Sequence, residues 1–156
     1  MSGLLRDTAA AKARATGDAV VGHASSVSSM TFEEVIANRV RAAETLKELA
    51  ETLQGLLTNH SVSEDGHLLS IRALVDYIKG LKIEVRPNEH PPAHFHVLGE
   101  KIDASFAIDD CRLLRGIISD RELKLVIVWF RFARPKLIRR WNETRPTDCP
   151  VGLISE

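Results

Sequence analysis

Apolar residues recur at three- and four-residue steps across residues 31–57, and this spacing predicts one long amphipathic helix. Thr31 followed by Glu34 has the spacing of a capping box, so we expect the helix to begin there. The apolar stripe is long enough to pack either on the chain's own core or on a second protein, including another copy of the chain. We assign residues 31–60 as a helical arm.

Alternation of apolar and polar residues in the middle of the chain predicts short strands. The alternation covers residues 81–86, 94–98 and 102–108, and an apolar run at 113–118 gives either a fourth strand or a loop. Only a few turn-forming residues separate several of these segments. The pattern therefore predicts an antiparallel meander.

Helical spacing returns after Ser119 or Asp120, either of which can cap a helix. The expected core face of this helix is Leu123, Val126, Ile127 and Phe130, with Val128 and Trp129 filling in. Pro135 suits the first turn of a helix better than its interior, so we expect a break near residues 133–134 and then a last helix. The whole pattern predicts an α+β fold: a small antiparallel β-meander packed with C-terminal helices and preceded by the long amphipathic helix.

The length of 156 residues suits one compact domain with an appended helical segment. We place the compact domain at residues 66–145, after a turn-rich linker at 61–66. Residues 1–30 are rich in small and polar side chains and are expected to form a flexible tail. Residues 146–156, with two prolines and a glycine, are expected to form an irregular C-terminal tail.

Composition narrows the class of protein. The formal net charge is zero, so no overall field favours nucleic acid or a membrane as partner. No apolar run approaches the roughly 20 residues of a membrane span, and residues 1–30 lack the apolar core of a secretory signal. Cys111 and Cys149 have no metal-finger spacing and are expected to be free thiols. These features predict a cytoplasmic protein with no membrane partner.

Half of the chain's six histidines lie in the dozen residues that begin at Arg86. His94 and His96 are two residues apart, so a strand would project both rings from one face. His90 precedes two prolines, which exclude helix and hold the approach to the strand in an extended or turn conformation. With Glu89 as orienting group and Arg86 as charge clamp, the three imidazoles form a candidate catalytic site for acid–base cleavage of a phosphodiester.

Two other interpretations of this cluster stay open. The His-x-His motif, together with Glu89 or Asp103, has the residue types of a Zn²⁺ or Fe²⁺ site. Alternatively, His94 and His96 face solvent beside a buried Phe95 and have no chemical role. The sequence alone assigns no metal ligand and no cofactor.

A basic stretch covers residues 131–145 in the predicted C-terminal helices and ends at Arg145. It favours contacts with backbone phosphates of nucleic acid, and the alternative is a solvated helix face around Leu137 and Trp141. The candidate nucleic-acid-binding residues are Arg131, Arg134, Lys136, Arg139 and Arg140.

The run Glu-His-Pro-Pro-Ala-His-Phe-His-Val, residues 89–97, resembles the signature of the domain-of-unknown-function 4160 family. The resemblance covers about residues 78–142 and includes the Gly-Glu turn and the Ala-x-Phe-x-Ile strand that follow. The chain differs from the family in having Ala93 between the proline pair and His94, and in lacking a histidine near Ala133. The resemblance implies a small bacterial protein that works beside a second small protein in a toxin–antitoxin-like system.

The combined expectation is a toxin component that acts on RNA through the histidine cluster, with a small partner protein. The alternatives are a non-catalytic interaction module, either antitoxin-like or regulatory, and a domain that binds a metal through its histidines. A further expectation is self-association through residues 31–57.

Overall fold

The computed structural model describes residues 30–70 and 80–156, and within them the chain has the predicted α+β fold. The helices are α1 (Phe32–Ala42), α2 (Leu46–Asn59) and α3 (Asp120–Glu143). The strands are β1 (His60–Val62), β2 (Leu68–Ser70), β3 (Lys82–Glu84), β4 (His94–Leu98), β5 (Asp103–Ala107) and β6 (Leu113–Ile117). Almost all of the predicted flexible tail, residues 1–30, lies outside the described part of the chain.

The strands form two antiparallel sheets. β1 pairs with β2, and β3 to β6 form a meander in chain order. The predicted meander is confirmed, and the segment at 113–118 supplies its fourth strand. None of the helices within residues 30–70 and 80–156 is long and apolar enough to cross a membrane.

The prediction of one helix over residues 31–57 is wrong in one respect, because the helix is broken at Ala43–Thr45. Thr45 is a second N-cap: its hydroxyl accepts a hydrogen bond from the Glu48 N–H, and the Glu48 carboxylate accepts from the N–H groups of Glu44 and Thr45. This capping box satisfies N–H groups that a continuous helix would bond to carbonyls one turn earlier. The apolar period continues across the break, so periodicity alone does not reveal it.

Both short helices bury their apolar stripe against their own chain. α1 packs on α3, and α2 packs on α3 and β3, in one core with the four-stranded sheet. The buried residues of the stripe include Ile36, Val40, Leu49, Leu53 and Leu57. Of the two alternatives for this stripe, packing on the chain's own core therefore accounts for most of it. Self-association through residues 31–57 stays a prediction, and Met30 and Phe32 are the large apolar side chains exposed near its start.

α3 runs without the break that we predicted at residues 133–134. Pro135 removes one backbone N–H, which leaves the carbonyl of Arg131 without its helical partner. Both residues are exposed, so water can bond to that carbonyl. The opposite face of the helix is held in the core on both sides of the proline by Ala133 and Leu137, which are fully buried.

The predicted core face of α3 also needs one correction. Ile127 is 38% exposed, whereas Leu125, which the prediction left out, is fully buried, as is the predicted Trp129. Trp129 and Phe130 pack against Phe95 of β4, with ring centroids 6.2 Å and 5.8 Å apart. Phe95 also stacks on its cross-strand neighbour Phe106. α3 therefore covers the face of the meander that carries Phe95, while His94 and His96 alternate to the other face of β4.

Residues 146–156 contain no helix or strand, but they return along α3. The Trp141 indole N–H donates to the carbonyl of Gly152, and Asn142 exchanges two hydrogen bonds with the backbone of Ile154. Val151 and Ile154 pack against the core. The chain's end is therefore fixed beside the last turns of α3.

His60 makes the stability of this fold depend on pH. Burial lowers the pKa of His60, the charges of Arg39 and Arg121 lower it further, and the Leu56 carbonyl offsets only part of this. Neither ring nitrogen has a hydrogen-bond partner among the residues that the structure describes. As pH falls below about 6.5, the unfolded chain binds a proton at His60 before the folded chain does.

We therefore expect the free energy of unfolding to decrease between about pH 6.5 and the lower pKa of folded His60, where the effect levels off. Urea denaturation of wild type and His60→Gln at pH 7.5, 6.5 and 5.5 measures it, and the variant should lose less stability on acidification. His67→Gln, at an exposed histidine, is the matched control. Equal pH dependence in wild type and His60→Gln would contradict the prediction.

Candidate functional site

The histidine cluster forms where the loop between β3 and β4 meets the start of β4. In the antiparallel pairing of these strands, Glu84 lies opposite His96, so the loop turns back beside the histidine face of β4. The Pro91–Pro92 peptide bond within this loop is cis. Glu89, four residues before Ala93, points its carboxylate at the strand. Glu89, His94 and His96 are thus close in sequence, and the β3–β4 loop brings their side chains together.

The Glu89 carboxylate lies between two imidazole rings. His94 Nε2 is 3.1 Å from Glu89 Oε2, and His96 Nε2 is 2.8 Å from Glu89 Oε1. The two rings meet edge to face, with centroids 5.0 Å apart. The side chains are only 10% exposed for Glu89, 3% for His94 and 14% for His96. The interpretation in which His94 and His96 are solvent-exposed and without a role does not agree with this burial.

The hydrogen bond at Nδ1 of His94 determines which hydrogen-bonding role is left for Nε2. His94 Nδ1 is 2.7 Å from the carbonyl oxygen of Pro92. A carbonyl oxygen only accepts hydrogen bonds, so Nδ1 carries a proton. Nε2 then faces the Glu89 carboxylate, which also only accepts when ionised. This contact is favourable only if Nε2 carries a second proton or if a cation lies between the two atoms.

Glu89 is itself held in the ionised form. Burial tends to raise the pKa of its carboxyl, but the hydrogen bond from His96 and the positive charges of His94, His96 and Arg86 outweigh burial. The pKa of Glu89 therefore lies below its usual value, and the group is an anion at neutral pH. A buried anion of this kind needs a cation beside it.

The other two candidate catalytic residues lie at the rim. The His90 side chain is 83% exposed, and its Nδ1 is 3.8 Å from Glu89 Oε2. Its ring centroid is 5.2 Å from that of His94. The Arg86 guanidinium turns away and pairs with Glu84 at 3.0 Å. Arg86 thus adds charge near the cluster without contacting the Glu89 carboxylate.

Sequence reasoning missed the residues that cover the cluster. The ring centroids of Trp141 and His94 are 6.4 Å apart. The Arg145 guanidinium stacks on Trp141, with its Cζ 3.5 Å from the ring centroid. Arg145 also donates to the backbone carbonyl of Arg86. The Cys149 thiol donates to the carbonyl of Glu89, at 3.9 Å, and accepts from Arg145. The pattern marked Arg145 only as one more basic residue, and it gave no signal for Cys149.

The candidate nucleic-acid-binding residues differ in their contacts. Arg134 lies 3.9 Å from Asp109, Lys136 donates to the carbonyl of Ala43, and Arg140 pairs with Glu143. Arg131 and Arg139 are exposed and make no ion pair or hydrogen bond with any residue that the structure describes. Lys136, Arg139 and Arg140 line a common cavity, while Arg131 lines a different one.

Glu89→Gln keeps the shape of the buried side chain and removes its charge. We expect this change to lower the free energy of unfolding at pH 7 by about 2 kcal/mol, because the imidazoles lose their charged partner. Urea denaturation of chelator-treated protein measures the loss. Glu100→Gln, at an exposed glutamate, is the control. The same small effect in both variants would show that the carboxylate does not hold the cluster together.

Comparison with known proteins agrees with this geometry. Residues 80–142 match the family model described as Domain of unknown function (DUF4160). The match runs from the start of β3 to the end of α3, so it includes Glu89, His94 and His96 and excludes α1 and α2. No curated protein and no solved structure matches the chain at a significant level. The resemblance of the histidine motif to this family is therefore confirmed over residues 80–142.

Proposed function

We propose that the protein is a metal-binding domain in which Glu89, His94 and His96 hold a divalent transition-metal ion. The observation that carries the proposal is the ionised Glu89 carboxylate between two Nε2 atoms, one of which belongs to a ring whose Nδ1 is already bonded to a carbonyl oxygen. Two imidazoles and one carboxylate are ligands of the kind that Zn²⁺ and Fe²⁺ take in proteins. A metal ion in this position would supply the cation that the buried carboxylate needs.

The spacing of the ligand atoms supports the proposal. Ligand atoms in a tetrahedral site with bonds of about 2.0–2.1 Å lie about 3.3–3.4 Å apart. Here the two nitrogen–oxygen distances are 3.1 Å and 2.8 Å, and all three ligand atoms lie within 4.8 Å of one another. The two nitrogen–oxygen distances are thus a few tenths of an ångström shorter than in a tetrahedral site, and side-chain rotations can lengthen them.

The surroundings of the cluster also suit a metal site. The Pro92 carbonyl fixes the tautomer of His94 that leaves Nε2 free as ligand, which is a common outer-shell arrangement around bound metals. Trp141 packs against His94 and Arg145 stacks on Trp141, so these side chains limit the access of water to the ligand atoms. Three protein ligands leave at least one coordination position open, as in metal sites that bind or activate a further molecule. The exposed His90 lies beside that cluster.

Acid–base cleavage of RNA by the same histidines stays a prediction, and the geometry supports it less well. A polymeric substrate must reach the ring that transfers the proton. His94 is 3% exposed and His96 is 14% exposed, whereas His90 is open to solvent. The toxin role and the small partner protein stay predictions that rest on the family resemblance.

Titration of the chelator-treated full chain with Zn²⁺ and with Co²⁺ tests the proposal. We expect one ion per chain by calorimetry, an absorption spectrum of bound Co²⁺ typical of nitrogen and oxygen ligands, and a higher melting temperature with metal. His96→Gln and His94→Gln should each weaken binding by about 100-fold or more because each removes a ligand.

His67→Gln is the control, since His67 is exposed and far from the cluster in sequence. Circular dichroism establishes that each variant is folded, and His96→Gln carries the test if the more buried His94→Gln is not. Binding that is unaffected by His96→Gln, or absent from the wild type, would overturn the proposal.

A further inference from the structure

A second concave site lies away from the histidine cluster, between the α1–α2 break and the last turns of α3. Its volume is about 410 Å³, within the range of small-molecule binding sites. Its charged lining consists of Arg41, Lys136, Arg139, Arg140, Glu44 and Glu143. Four cations and two carboxylates give the cavity a positive balance, although the net charge of the whole chain is zero.

The basic side chains of the cavity differ in whether they already have an ion-pair or hydrogen-bond partner. Lys136 donates to the carbonyl of Ala43 at the end of α1, and Arg140 pairs with Glu143 at 3.5 Å. Arg139 makes no ion pair or hydrogen bond with any residue in the described ranges, and Arg41 bonds only to a neutral amide, that of Asn38. Two guanidinium groups at the cavity thus keep their positive charge without an anionic partner among the described residues.

The two guanidinium groups, and not the helix end, provide the binding chemistry. α2 begins at this cavity, but the N–H groups of Glu44 and Thr45 are taken by the Glu48 carboxylate. Guanidinium groups bind phosphate oxygens through paired N–H donors, and they do so more specifically than a point charge. The carboxylate of Glu44 lies in the same lining and opposes an anion, so a ligand must engage the arginines directly.

We propose that this cavity binds a nucleoside phosphate, with the phosphate on Arg139 and Arg41. Leu46, which is partly buried, also lines the cavity and provides an apolar contact for the rest of the ligand. The volume of the cavity suits a small ligand. A nucleic-acid strand would need a continuous basic surface over residues 131–140, and of the five basic residues there only Lys136, Arg139 and Arg140 line this cavity.

This site is separate from the metal site. Arg139 and Arg140 lie three and four residues after Lys136, and Glu143 lies three residues after Arg140, so these side chains share one side of α3 and line the same cavity. Trp141 leaves the helix in another direction and contacts His94. Substitutions at Arg139 should therefore leave metal binding unchanged, and a failure of either proposal does not affect the other.

Calorimetric titration of the full chain with AMP and ADP, and with adenosine as a probe without phosphate, tests the proposal. We expect saturable binding of one AMP or ADP per chain that weakens with added salt, and weaker or no binding of adenosine. Arg139→Glu should lower the affinity by about tenfold or more, because it replaces a phosphate-binding charge with a repulsive one.

Arg131→Glu is the matched control: it makes the same charge change, at an exposed position on the same helix, outside the cavity. It should change the affinity by less than about twofold. Equal losses in the two variants would show attraction by net charge alone and would overturn the proposal. Absence of saturable AMP or ADP binding, or equal affinity for adenosine, would also overturn it. Tighter binding of a single-stranded RNA that both variants weaken would assign the basic stretch to a polymer instead.

Discussion

The structure around the candidate site depends on one buried anion. Removing a carboxylate from water costs several kcal/mol unless cationic or hydrogen-bonding groups replace the water. Glu89 has those groups in His94 and His96, one on each carboxylate oxygen. Because all three side chains are nearly excluded from solvent, the loop before β4 cannot move away without leaving the charges unpaired. The geometry of this loop is therefore determined by electrostatics as well as by its three prolines.

The same requirement explains the arrangement of the chain's last turns. Trp141 contacts His94, Arg145 stacks on Trp141 and bonds to the carbonyl of Arg86, and Cys149 bonds to the carbonyl of Glu89. These contacts join the end of α3 to the β3–β4 loop and close the cluster from solvent. Arg145 therefore has a structural role that its place in a basic stretch does not reveal. A charged residue just after a helix can thus donate hydrogen bonds to two backbone carbonyls, here those of Trp141 and Arg86, instead of binding a ligand.

The features that the sequence predicted correctly are those that interactions between neighbouring residues determine. The period of two in β4 placed His94 and His96 on one face, and the meander followed from short turns between alternating segments. The sequence contained an indication of the break before α2, since Thr45 and Glu48 repeat the capping-box spacing of Thr31 and Glu34. The uninterrupted apolar period nevertheless predicted one continuous helix. The burial of His94 had no local signal, because its cover comes from residues 141–149. α3 stayed continuous because core contacts outweighed the propensity of one proline.

Burial changes the chemistry that the histidine cluster supports. An exposed pair of histidines can exchange protons with a substrate, whereas a buried carboxylate between two histidines needs a cation beside it. At His94 Nε2 that cation is either a proton or a metal ion, because Nδ1 is committed to the Pro92 carbonyl. The two cations compete for the same lone pair, so metal binding and proton release are linked at this atom. In the proposed metal site, a further molecule would take the coordination position that the three protein ligands leave open, and the exposed His90 lies beside the cluster.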